Sequence, residues 1–230
     1  RWLHDADIDA AASVRRVSDM TNPEHRLWSQ FLVLAAEARG LQARTEHELM
    51  RVLNQGMKDS RPAVQGLLRL EVATPRGASV KVLRPDAVIA ESDGATWLEV
   101  DRSTRGSSRA ADLRALVLSV GVDLVEVGPL RRVVVFARTE RISRRVLATL
   151  QQVARQTREA ALARGRRQLR EAGDGVYEVW LTSDRTHSDG RRSLVDQLAG
   201  HVIVQLLPTW LPRLRVDGRG TNSAAGWLGE

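Results

Sequence analysis

Lys81 to Thr104 reads KVLRPDAVIAESDGATWLEVDRST, and the placing of its two apolar runs decides the fold. Ala87 to Ala90 (AVIA) is a short apolar run. Ser92-Asp93-Gly94 is turn chemistry of the kind that joins antiparallel strands, and Ala95 to Asp101 is a second run. Side chains on a strand alternate between faces, so Thr96, Leu98 and Val100 are expected to meet a core while Trp97, Glu99 and Asp101 share the other face. A hairpin here returns Asp86 to the Glu99 end.

Carboxylates gathered on a sheet edge repel one another, and a hard divalent cation with oxygen ligands, Mg²⁺ or Mn²⁺, normally offsets that repulsion. Such an ion can polarise a phosphoryl oxygen and lower the pKa of a bound water. The same pattern also fits two surface strands whose acids face water, and spacing alone does not separate the two.

Pro85-Asp86, a short hairpin, Glu99-x-Asp101 and a following helix resemble the core of the PD-(D/E)xK nuclease superfamily. The string LEVDRST, with Pro-Asp-Ala upstream and a His-bearing helix before it, is similar to the replication-relaxation family, which includes MobC-type plasmid mobilisation proteins. The resemblance spans roughly residues 22 to 137. It implies an α/β fold with a restriction-endonuclease-like core, a mixed sheet flanked by helices, to which this chain adds a long basic helix. It also implies Mg²⁺ or Mn²⁺ held by Asp86 and Glu99.

The superfamily's lysine, two residues after the Glu, is replaced here by Asp101, which would act as a third ligand or as a base. The replication-relaxation pattern has a lysine along the next helix, where this chain has Arg114; Lys81 on the preceding strand is the other candidate phosphate contact. The family histidine maps to His25, a first-turn residue that is incidental on the plainer reading. The implied activity is metal-dependent nicking or cleavage of DNA in plasmid mobilisation or replication, with other plasmid-transfer or replication proteins as further partners. The alternatives are an accessory DNA-binding protein of the same fold without catalysis, and a structural module whose charge is incidental.

Composition supports a polyanion partner. The net charge is +7 and the pI about 11.0, nearly all from arginine, since Lys58 and Lys81 are the only lysines. The plainer alternative is a high-GC codon bias that favours Arg, with the charge serving only to keep the protein in solution. Cysteine is absent and the five histidines are scattered, which removes thiolate and paired-histidine metal sites. No apolar run approaches the eighteen or so residues of a membrane helix, so no membrane association and a cytoplasmic location are expected. A start at Arg1 without Met suggests a piece of a longer protein. There is no GxxxxGK[ST] or GxSxG, and the single tyrosine, Tyr177, lies in an expected strand.

Four regions are expected: a helical 1–70, the core 71–140 with helix 23–38 packed on it, 141–216 with a basic helix, a strand and a C-terminal helix, and a loose tail 217–230. Thr21-Asn22-Pro23-Glu24 starts the first of these helices, and Gly40 ends it. Thr45 to Glu48 is a capping box opening a helix through Leu53. Leu67–Thr74 and Ser79–Leu83 read as strands around Pro75-Arg76-Gly77. The Ser-, Gly- and Arg-rich stretch 102–109 gives Arg105 and Arg109 as phosphate contacts. A helix then runs from Ser108 to about Val120, and Leu130–Ala137 is a buried strand. Residues 141–170 read as one long basic helix, from which Arg144, Arg145, Arg155 and Arg158 are expected to touch the DNA backbone. Val176–Leu181 follows as a strand and 192–206 as a helix.

Overall fold

A computed structural model of the chain describes residues 23–55, 66–74, 77–101, 107–160, 163–188 and 190–207. The start of the helical 1–70 region, the cap at Thr21-Asn22, Pro75-Arg76, Arg105 and the 217–230 tail lie outside these residues.

Helix α1 (Pro23–Glu37) is followed by strand β1 (Gln42–Thr45) and helix α2 (Glu46–Leu53). The capping box forms as read: Thr45 Oγ1 accepts from the Glu48 amide at 3.4 Å, and Glu48 Oε2 accepts from the Thr45 amide at 2.9 Å. Strands β2 (Leu68–Thr74) and β3 (Gly77–Leu83) pair antiparallel as a separate two-stranded sheet. Strands β4 (Ala87–Glu91) and β5 (Gly94–Asp101) make the expected hairpin, Glu91 opposite Gly94 across Ser92-Asp93. Then come helix α3 (Ser107–Val117), the short strand β6 (Asp123–Leu124), strand β7 (Gly128–Ala137) and helix α4 (Glu140–Arg158). Strands β8 (Arg167–Gly173), β9 (Val176–Thr186) and β10 (Arg192–Leu206) complete the described chain.

The main sheet is mixed and flanked by helices, in the order β1-β4-β5-β7-β10-β9-β8, with β6 beside β7. Strand β7 runs parallel to β5 and to β10; the other neighbours are antiparallel. On one face α1 buries Trp28, Leu32, Val33 and Ala36 with Ile89, Leu98, Val100, Val134 and Phe136. On the other, α3 and α4 supply Leu116, Val117, Ile142, Val146 and Leu150 to a core shared with Trp97, Val133, Val135, Tyr177 and Val202. The alternation of β5 is therefore as read, but its second face is covered as well. Glu99 and Asp101 lie half-buried under helices, not on an open surface.

Two elements differ from the sequence reading. The helix expected over 141–170 stops at Arg158, and Arg167, Arg170 and their neighbours form β8. Gly165, at φ +76°, turns the chain, and Thr157 Oγ1 on the last turn of α4 accepts the Leu169 amide at 3.1 Å, so the new strand docks under the helix it leaves. The helix expected over 192–206 is strand β10, paired on both sides. Val202, Ile203 and Val204 favour a pleated, buried setting, and partners far away in sequence satisfy the backbone. Strands β8 to β10 thus continue the sheet of β5 and β7, and residue 140 divides no sheet.

Strand β10 has a bulge between Leu198 and Gly200 where it crosses the start of β7. A Cβ on Gly200 would run into the Arg131 carbonyl oxygen and stand 2.8 Å from Val120 Cγ1. Since the obstacle is main chain, Gly200→Ala is expected to cost about 3 kcal/mol, read as a lower urea midpoint with unchanged slope.

Candidate active site

The site lies at the ends of the parallel pair β5 and β7, where Glu99 is in register with Val135 and Asp101 with Ala137. Here β5 passes into α3, and β7 into α4. A cavity of about 260 Å³ opens between these helices and the sheet. Glu99, Asp101 and Asp112 line it together with Arg84, Arg109 and Arg145, and Leu83, Leu113, Leu116, Val135 and Val146 give it apolar walls.

Glu99 is half-buried at the cavity wall. Its Oε1 accepts the Trp97 indole N–H at 2.6 Å, and among the described residues it makes no ion pair. Burial pushes its carboxyl well above the ordinary 4.5. The Asp86 charge adds to this, while the Trp97 hydrogen bond and Arg109 oppose it; Asp101 raises it further. A proton, or a cation in its place, is what that position demands.

The other two acids are engaged separately. Asp101 pairs with Arg109 of α3, and with Arg145 of α4 at 3.6 Å. Asp86 precedes β4, where its own amide donates to the Leu98 carbonyl at 3.0 Å and its carbonyl accepts from the Glu46 amide. Asp86 Oδ2 accepts the Val100 amide at 2.6 Å, and His25 Nε2 of α1 lies 3.1 Å from Oδ1. The hairpin does return Asp86 beside Glu99. Even so, among the described residues no three Asp, Glu or His side chains converge as a ready metal-binding group.

The expected cations divide. Arg109 and Arg145 stand at the cavity. Lys81 pairs with Asp112, itself a lining residue. Arg114 points elsewhere, its Nη1 donating to Gln156 Oε1 at 2.6 Å. Arg144, Arg155 and Arg158 are exposed along α4. Sequence reasoning missed three participants. Arg84, which reaches Glu46 at 3.3 Å, had a signal in its place directly before Pro85-Asp86. Trp97 had one in sharing the face of Glu99. Asp112 had none, because the cavity lies between α3 and a strand some thirty positions earlier.

Tyr177 is fully buried in β9, as a core residue, and burial raises its hydroxyl pKa. Among the described residues no helix is long and apolar enough to cross a membrane.

No family model matches this chain, and searches of curated proteins and of solved structures return no match either.

Proposed function

We propose that the cavity is the phosphodiester site of a DNA-acting protein of restriction-endonuclease-like type, and that it nicks or cleaves DNA with Mg²⁺ or Mn²⁺. The observation that carries this reading is Glu99, a half-buried cavity-lining carboxylate beside two other acids with a neutral indole as its hydrogen-bond partner. An oxygen-only donor set of this kind suits a hard cation. Asp86 and Glu99 would hold it, with Asp101 as a third ligand. The ion, when bound, supplies Lewis acidity and an activated water.

The chain's own residues do the rest. Trp97 orients Glu99, and the Val100 amide fixes Asp86. Arg109 and Arg145 release Asp101 and turn their guanidinium forks to the phosphate, with Arg84 on the rim. The apolar walls exclude bulk water, which strengthens each of these charge interactions. Plasmid-transfer or replication proteins are the partners this activity would call for.

A second reading, an accessory DNA-binding protein without hydrolysis, is favoured by one observation: Asp101, in the place of the lysine, is held between two arginines. Nicking of supercoiled plasmid in Mn²⁺ separates the two. The wild type is expected to produce open circles, and Asp86→Ala and Glu99→Ala to lower the rate about 100-fold or more, as loss of a metal ligand does. Salt-sensitive DNA binding without nicks selects the accessory reading. Absence of any salt-sensitive binding selects a structural module.

A further inference from the structure

We propose that the far end of the β9–β10 pair is a second duplex-DNA contact, reached by a duplex that is held at the cavity; this rests on the DNA reading above. Strand β8 accompanies β9 only as far as Leu181, and β7 accompanies β10 only from His201. The Thr182 amide and carbonyl still bond to Arg166 and Gly165 just before β8; beyond them Ser183–Thr186 and Arg192–Val195 pair with each other as a two-stranded ribbon with no third strand among the described residues. Its four residue pairs extend about 13 Å. B-DNA's major groove, about 12 Å wide, admits a two-stranded ribbon.

The ribbon is built rather than loose. The His187 amide donates to the Arg191 carbonyl at 2.8 Å, the Gly190 amide to the His187 carbonyl at 2.9 Å, and the His187 ring meets Ser193 Oγ at 2.8 Å. Arg185, Arg191 and Arg192 are exposed on it. The register puts Arg185 and Arg192 on opposite faces, so a strand backbone on either side of a groove would meet a guanidinium. Asp184 is neutralised by Arg164 at 3.2 Å, which also ties the ribbon to the segment after α4.

The placement joins this surface to the site. Strand β10 runs parallel to β7, so its Arg192 end lies at the end of the sheet away from Asp101. Helix α4 runs back from the cavity at Arg145 to the root of the ribbon, where Arg166 at the head of β8 accepts the Thr182 amide on its carbonyl. The 19-residue helix spans about 28 Å, and its exposed Arg144, Arg155 and Arg158 mark the path.

The test uses fluorescein-labelled 24-bp and 10-bp duplexes of mixed sequence, with the wild type, the triple variant Arg185→Ala/Arg191→Ala/Arg192→Ala, and the matching triple lysine variant, each checked for an unchanged Tm. The alanine variant is expected to bind the 24-bp duplex about tenfold or more weakly, with its salt slope reduced by about 2 to 3, and to lose the wild type's preference for the longer duplex. The lysine variant is expected to keep all three properties, and the plasmid nicking of both variants to depend on Mn²⁺ as before. Wild-type binding of the 24-bp duplex with no change in the alanine variant overturns the ribbon contact alone. Equal loss in the alanine and lysine variants overturns it too, since the effect would not be one of charge. A wild type that binds neither duplex overturns the DNA reading itself.

Discussion

Glu99→Gln is expected to raise the Tm of the metal-free protein at pH 8, leave it unchanged at pH 4, and abolish any rise produced by Mn²⁺. The folded-state carboxyl is held well above its ordinary 4.5, so protonated Glu99 contributes stability that is complete below 4.5. That stability is lost as pH rises through the raised value, because the ionised form must stay half-buried beside Asp86 and Asp101. Glutamine has the size of glutamate and no proton to lose, so its curve should be flat over the same window. In the wild type at pH 8, Mn²⁺ at a hundredfold excess over its Kd should raise Tm by about 5 to 10 °C, the equivalent of about 2.7 kcal/mol. Thermal scans at pH 4, 6 and 8, with and without Mn²⁺, read all of this. A wild type that responds to pH but not to Mn²⁺ would leave Glu99 as a half-buried acid without a metal role.

Trp97 should show the second large effect, and in two separable parts. It is fully buried at the centre of the helix-covered face, so Trp97→Ala is expected to cost about 3 to 5 kcal/mol of stability. Trp97→Phe keeps an aromatic ring in the core but removes the N–H that donates to Glu99 at 2.6 Å, together with part of the indole's volume. The phenylalanine variant should therefore fold with a modest loss while Mn²⁺ affinity falls about 10-fold or more, the usual effect of removing a group that orients a metal ligand. Urea titration gives the first number and calorimetric Mn²⁺ titration the second. Equal Mn²⁺ affinity in wild type and Trp97→Phe would show that the indole is packing alone.

What could be read in advance follows the range of the interactions. The β4–β5 hairpin and the capping box at Thr45 rest on neighbours within a few residues, strand β7 shows itself by the unbroken β-branched run Val133–Val135, and each stands as expected. Strand β10 carries Leu194 and Leu198 at helical spacing, while the pairing that makes it a strand comes from β7, nearly seventy positions earlier. The basic helix was overextended because only Gly165 marks the turn. The site divides in the same way. The approach of Asp86 to Glu99 is a local product of the hairpin, whereas the two arginines on Asp101 arrive from α3 and α4 and leave no local trace.

The position of β10 also governs the order in which the chain can be completed. The last strand described is not at an edge; it is the link between β7 and the β9–β8 pair. Until residues 192–206 have left the ribosome, the parent strand β7 presents an open edge of Val133, Val134 and Val135, and α4 has only part of the surface it covers. A nascent chain halted before that point carries an unpaired, apolar, β-branched edge, the kind of segment that associates with copies of itself. Synthesis of this protein should therefore depend on chaperone holding until β10 is inserted, and fragments ending near 190 should be recovered as aggregates rather than as a smaller folded unit.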